Sequence, residues 1–254
     1  MRRCAALVLL ATMSSGGCRR DAPRKGPPAE TSSPSATAPP PTGAPRARHV
    51  DLRASFPMSS IQLSIEDVRM STRLDEVLAR RSARLVVNGG FFDPRGAPLG
   101  LAVSEGKALS VYSPGMSGGV VWAKDGVAHL SATESYDADA GPVDFAIQCR
   151  PRLVVASRAN IRSDDGRRAR RTALCLRDGG RTLEVLVASG AGRADAGPTL
   201  FELAEELALD GCEDALNLDG GPSTGWASTD ADGGRSFVPP RAPVRHVVVV
   251  RDAR

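Results

Sequence analysis

Beyond residue 48 the chain alternates short apolar runs with breaks of Gly, Pro, Asp and Ser. Residues 61–65 (IQLSI) repeat at period two, the spacing of a strand with one buried face. Residues 85–87, 119–122, 153–155, 183–187 and 247–250 are instead short continuous runs rich in β-branched side chains. Their length and bounding residues mark them as strands. Helical spacing occurs in two places. Residues 73–83 put Leu74, Val77 and Leu78 on one face. Residues 200–209 follow a Gly197-Pro198 break, carry Thr199 and Glu202 at capping-box spacing, and stop at Gly211. Phe201, Leu203, Ala204, Leu207 and Ala208 supply the buried face of this second helix. Together these elements predict an α+β fold: one domain over residues 49–254, with a mixed, strand-rich sheet core and a few helices.

The first 48 residues follow a different pattern. Met1-Arg2-Arg3 precedes an apolar run over residues 4–13, which is too short to span a bilayer but has the length of a signal-peptide core. Small residues at 14–17 lead into Cys18. Residues 1–17 therefore predict a lipoprotein-type signal peptide, resembling a bacterial lipobox with Ser15 where an aliphatic residue is usual. Cys18 is the expected lipidation site. Residues 19–48 contain no Val, Ile, Leu, Met or aromatic residue and hold eight of the chain's 19 prolines. Such a stretch cannot bury enough apolar surface to offset its chain entropy, so residues 18–48 read as a disordered Pro-rich tether. The expectation is an exported protein, held by an N-terminal lipid to a bacterial envelope membrane on its periplasmic or outer-membrane side.

Charge and composition narrow the partners. Of 33 Lys+Arg and 29 Asp+Glu, residues 1–48 take eight and two, leaving 25 basic against 27 acidic side chains beyond. The predicted domain thus lacks the positive field of a nucleic-acid binder, and aromatics at 4% disfavour a stacking platform for bases. No nucleic-acid partner is expected. With Cys4 in the leader and Cys18 lipidated, Cys149, Cys175 and Cys212 remain, enough for at most one internal disulfide. Buried free thiols are the default expectation; Cys149 with Cys175, on two apolar segments readable as neighbouring strands, is the alternative pair. The chain has no C-x-x-C, no P-loop and only three histidines at scattered positions, so a metal site, a cofactor and a serine-hydrolase elbow are not expected.

Chemistry concentrates at two strand ends. In the first, an apolar run ends in Asn88-Gly89-Gly90-Phe91-Phe92-Asp93. Glycine lets a ligand approach the backbone, exposed amides can cradle an anion, Asn88 offers a donor and an acceptor, and Asp93 adds a carboxylate. The competing reading is a plain hairpin turn. In the second, a strand would place Leu216 and Leu218 on one side and Asn217 and Asp219 on the other, followed by Gly220, Gly221, Ser223 and Thr224. An amide and a carboxylate on one face, beside glycine amides, suit acid–base chemistry next to a phosphate. Asp and hydroxyl oxygens also suit Ca²⁺ or Mg²⁺, although the EF-hand pattern is missing, and a polar turn is the simpler alternative. Between the two lie Gln148-Cys149-Arg150-Pro151 and the run Arg167-Arg168-Ala169-Arg170-Arg171. One arginine of that run is expected to serve a phosphate, the rest forming a solvated face.

In order, VVNGGFFDPRGAPLGLAVSEGKAL, AIQCRPRLVV, RRTALCL and GPTLFELAEELALDGCEDALNLDGGPSTGW resemble the phosphodiester glycosidase domain family, over roughly residues 55–250. The resemblance implies hydrolysis of the bond between a sugar's anomeric carbon and a phosphodiester, with a sugar-phosphodiester or phosphoglycan as substrate. The implied catalytic residues are Asp219, Arg171 and Glu202, although capping alone also explains Glu202. Candidate substrate-binding residues are Asn88, Gly89, Gly90, Phe91, Asp93, Gln148, Asn217, Gly220, Gly221, Ser223 and Thr224. In this picture Arg171 and the Gly220-Gly221 amides hold the phosphate, Asp219 acts at the anomeric carbon, and Asn88, Asn217 and Gln148 orient sugar hydroxyls. Arg150 stands where the family often has Gly, and Pro222 where the loop often has a third Gly. Two other readings compete: a non-catalytic glycan-binding surface lipoprotein, and a structural lipoprotein packed against envelope polymers.

Overall fold

The computed structural model describes residues 50–188 and 197–253. The predicted signal peptide, Cys18 and the tether lie outside the described residues. The chain opens with β1 (Leu52–Pro57) and β2 (Ile61–Ser71), then helix α1 (Leu74–Arg80) and β3 (Leu85–Asn88). Next come β4 (Ala102–Ser104), β5 (Lys107–Ser110), β6 (Gly119–Lys124), β7 (Val127–Ala132) and β8 (Phe145–Cys149). They are followed by β9 (Arg152–Val155), β10 (Arg158–Ala159), β11 (Arg171–Arg177) and β12 (Thr182–Ala188). Helix α2 (Leu200–Leu209) leads into β13 (Asp214–Asn217), β14 (Trp226–Thr229), β15 (Arg235–Val238) and β16 (Val244–Asp252). Among the described residues the strands form three sheets, ordered β1-β12-β11-β13-β9-β10, β15-β14-β3-β16-β2 and β5-β4-β8-β6-β7. Every pairing between them is antiparallel.

One face of each sheet turns onto a shared core containing Leu63, Val87, Val121, Phe145, Leu174, Val185, Leu216 and Val248. Helices cover two of the outer faces. Leu203, Ala204 and Leu207 of α2 pack on Ala173, Cys175, Leu186 and Ala215, while Leu74, Val77 and Leu78 of α1 pack on Val86, Val247 and Val249. In β16, Val248 and Val250 point into the shared core and Val247 and Val249 towards α1. A strand buried on both faces has no polar side, so its sequence is a continuous run instead of an alternation.

Two expectations change. Among the described residues there are only two α-helices, each covering one sheet face, so the architecture is more β than the α+β class expected. The bridge also differs: Cys175 is joined to Cys212, with Cα atoms 5.9 Å apart, and Cys149 is a buried free thiol. Cys149 lies in the shared core, whereas Cys175 sits on the opposite face of β11 beneath α2, so those two cannot meet. Local signals fare better. Thr199 Oγ1 accepts from the Glu202 amide at 3.1 Å, and Glu202 Oε2 accepts from the Thr199 amide at 3.0 Å, completing the capping box at α2.

Candidate active site

β13 runs between β11 and β9 with Leu216 and Leu218 in the shared core. Alternation therefore sends Asn217 and Asp219 to the other side, the layout that the spacing predicts. Both line an open cleft of about 880 Å³, together with Phe91, Glu134, Arg150, Arg152, Arg167, Arg171, Gly220 and Gly221. The half-buried Asp219 is fixed at backbone and side chain alike. Its amide donates to the Gly89 carbonyl at 3.2 Å, and its carbonyl accepts from Asn88 Nδ2 at 2.7 Å. Its carboxylate accepts from the Gly220 amide at 2.9 Å and is hydrogen-bonded by the Ser223 hydroxyl. Burial raises the carboxyl's pKa above the ordinary aspartate range, and the bonds from Ser223 and Gly220 pull it only part of the way back.

Several predicted substrate contacts turn out to stand behind the wall. Asn88 is fully buried. Its Oδ1 accepts from Thr172 Oγ1 at 2.6 Å and from the Gly225 amide at 3.3 Å, so with the bond to Asp219 it staples β3, β11 and the Asp219 loop together. It is also no hairpin turn, because β3 pairs with β14 and β16. Gly89 lies so close to His246 that a side chain there would meet its carbonyl oxygen at 2.9 Å. Gly90 is buried against Cys149. Gln148, fully buried, spends its amide on the backbones of Leu101 and Ser113. Asp93 accepts from the amides of Arg95 and Ala97, shaping its own loop away from the cleft wall. Ser223 and Thr224 are buried.

The glycine amides are occupied as well. Gly220 N–H goes to the Asp219 carboxylate, and Gly221, at a positive φ of 59°, donates to the Arg170 carbonyl at 2.8 Å. The expected phosphate cradle of amides is therefore used up inside the protein. Glu202 is likewise committed: one carboxylate oxygen caps Thr199 and the other pairs with Arg168. Of the polar residues predicted, Asn217, Asp219 and Arg171 reach the cleft. Asn217 Nδ2 donates to the Arg150 carbonyl at 2.9 Å and the Leu218 carbonyl at 2.6 Å, while its buried Oδ1 has no hydrogen-bond partner.

Positive charge is supplied from two turns. The run divides, with Arg167 and Arg171 on the cleft, Arg168 on Glu202, and Arg170 buried. Arg171 is held by the carbonyls of Arg167, at 2.9 Å, and Pro198, at 3.4 Å. Burial lowers its pKa, but a guanidinium remains cationic throughout the physiological range. Arg150 and Arg152 flank Pro151 across a cis bond, and Arg150 lies over the Phe91 ring at 6.0 Å. Where one arginine of the run is expected at a phosphate, two of it line the cleft, and the turn at Pro151 adds Arg150 and Arg152. The signal for these last two was the doubled Arg around Pro151, on a turn already marked by Gln148. Glu134 and Asn160 carry no motif that would have singled them out.

Gly221-Pro222-Ser223-Thr224-Gly225 does have G-x-S-x-G spacing, contrary to the expectation of no such elbow. The geometry of a nucleophile elbow is nevertheless missing. Ser223 has no positive φ, the segment is a single 3₁₀ turn entering β14 instead of an α-helix, and the hydroxyl is bonded to Asp219.

A family model described as phosphodiester glycosidase matches residues 81–251. Among solved structures, the catalytic domain of zebrafish N-acetylglucosamine-1-phosphodiester alpha-N-acetylglucosaminidase, auto-inhibited by its pro-peptide, superposes with a TM-score of 0.60 at 20% identity. That match covers 78% of this chain and 74% of the zebrafish one. A Synechocystis protein matches at TM-score 0.59 and 15% identity over 80% of this chain, which spans 59% of the cyanobacterial one. A Burkholderia pseudomallei protein matches at TM-score 0.54 and 15% identity, covering 78% and 73% of the two chains. At these identities the structural likeness is one of fold. No curated protein matches the chain.

Proposed function

The chain belongs to the phosphodiester glycosidase family, and on that premise we propose that it hydrolyses the bond between a sugar's anomeric carbon and a phosphodiester oxygen. The observation that carries this reading is one desolvated carboxylate, Asp219, set in a cleft with four arginines. A phosphodiester is an anion at neutral pH, and guanidinium groups match its oxygens in pairs. Arg171 would hold the phosphate from the β11 side and Arg150 from the β8–β9 turn. Asp219 acts as general base at the anomeric carbon. It takes a proton from water as the water oxygen bonds to that carbon, and the electrons of the broken C–O bond leave with the phosphomonoester. That leaving group needs charge stabilisation more than a proton, which the arginines supply. The raised pKa of Asp219 strengthens it as a base. Asn217 Oδ1, buried without a partner, would accept a sugar hydroxyl.

The test is a panel of sugar-1-phosphodiesters assayed with wild type and Asp219→Asn. The substitution is expected to lower kcat by about a thousandfold, the scale of a lost general base. Turnover that survives it would remove Asp219 from the chemistry. A folded wild type that binds glycans yet hydrolyses no diester would favour the binding-module reading instead. The same proposal includes export and lipid attachment at Cys18, supported by the leader pattern of residues 1–18 and by a disulfide suited to an oxidising compartment. Mass analysis of the mature N-terminus decides that part. A phosphoglycan of the envelope or its surroundings is the substrate class this location favours.

A further inference from the structure

The chain contains only two Trp and two Tyr. Both tyrosines and one Trp gather on the outer face of the third sheet, where Tyr112, Trp122, Tyr136 and Val143 pack over Leu101, Val103, Val120 and Ala146. The Tyr112 and Tyr136 rings lie 5.6 Å apart. Trp122 stacks on its cross-strand partner His129 at 4.2 Å, and its Nε1 donates to Ser131 Oγ at 3.0 Å. Beside them opens a pocket of about 260 Å³, in which Trp122, Tyr136 and Val143 supply apolar surface and Lys124, Ser131 and Asp137 the polar groups.

This pocket adjoins the arginine-lined cleft. A single helical turn, Thr133–Ser135, separates them: Glu134 lines the cleft, and Ser135 and Tyr136 line the pocket. The Tyr112 hydroxyl donates to the Thr133 carbonyl and so pins that turn. The lining selects among ligands. An acyl chain would leave Asp137 and Lys124 without a role. A second phosphate would meet one ammonium beside a carboxylate, nothing like the four guanidinium groups next door. A neutral pyranose has a C–H face for aromatic rings and hydroxyls for the polar groups, which is the mixture present.

We propose that this pocket is a second carbohydrate subsite, which holds a neutral sugar ring of the same glycan whose phosphodiester lies in the cleft. The inference rests on the proposed function for its link to the cleft, but the binding itself does not need turnover. It makes the substrate an extended glycan instead of a lone sugar phosphodiester.

Two variants of the full chain test it. Ala140→Trp fills the pocket from its exposed rim without removing any core packing, and Trp122→Leu removes the indole. Gluco-, manno- and N-acetylglucosamine oligosaccharides without phosphate serve as probes in calorimetry, with thermal melts confirming that each variant is folded. One series is expected to bind the wild type, and both variants should weaken it about tenfold, the scale of one lost aromatic contact. For an oligosaccharide phosphodiester, KM should rise in Ala140→Trp, with kcat and the kinetics on a single-sugar diester unchanged. If no neutral oligosaccharide binds, or if folded Ala140→Trp binds as wild type does, the subsite is overturned, whether or not hydrolysis is found. Binding that is lost in the variants of a protein that hydrolyses nothing would keep the subsite and sink only the glycosidase reading.

Discussion

Asp219 is an expensive residue for the fold to hold. Its carboxyl is held where burial favours the protonated form, against two hydrogen bonds that favour the charge. Because the folded-state pKa is raised, the folded protein binds this proton more tightly than the unfolded chain does. The stabilisation is complete below the unfolded pKa, about 4 for an aspartate, and is lost as pH rises through the raised folded value. At neutral pH the ionised group is therefore a net cost. Asp219→Asn, which can still accept from the Gly220 amide, should melt at a higher temperature than wild type at pH 7, with the difference closing near pH 4. Melting curves at the two pH values check this, and an Asn variant less stable than wild type at pH 7 would contradict it. Catalysis follows the opposite sign. As the proposed base, Asp219 must be ionised, so the acidic limb of kcat should lie above the range of an ordinary aspartate. Asn88 and Gln148 show what one residue hides. Their chemistry was legible, but whether an amide faces a substrate or a neighbouring strand depends on what packs over it. Here Thr172, Gly225 and Ser113 take those amides.

At the scale of elements, helix α2 holds a carboxylate with a structural role, apart from the one proposed as the base. Glu202 caps Thr199 and pairs with Arg168 outside the cleft. Gln at this position still completes a capping box, so Glu202→Gln should leave kcat within about twofold of wild type and cost only a few tenths of a kcal/mol. Thr199→Ala, which removes the cap itself, should cost about 1 kcal/mol in urea unfolding. A large loss of kcat in Glu202→Gln would return Glu202 to the chemistry. The capping box was readable because all its partners lie within four residues. The runs 85–87 and 247–250 were readable because burial on both faces leaves no polar position to interrupt them. β5 and β15 left no such trace, being edge strands whose side chains are largely exposed. Their pairing comes from backbone groups of neighbours that no local pattern announces.

For the molecule as a whole, the bridge between Cys175 and Cys212 does what no local element can. It ties β11 to the turn after α2, and so holds next to each other the two strands that reach the cleft, β11 at Arg171 and β13 at Asn217, two residues before Asp219. The cross-link spans 37 residues of sequence, a loop whose closure removes about 3–4 kcal/mol of unfolded-state entropy in the chain-entropy model. The two cysteines were visible in the sequence, but their pairing was not, since it turns on which face of β11 points away from the shared core. Cys149 faces that core and is pushed well above the ordinary thiol range by burial, with Asp219 adding to the shift, so it stays inert. Reductant should therefore lower the urea midpoint of wild type and of Cys149→Ser alike, and leave that of Cys212→Ser unchanged at the already lowered value. Protein made in a reducing cytosol should match the reduced midpoint until it is oxidised. If Cys149→Ser abolished the response to reductant, the bridge would have to run through Cys149, and the assignment of inner and outer faces to β11 would fall with it.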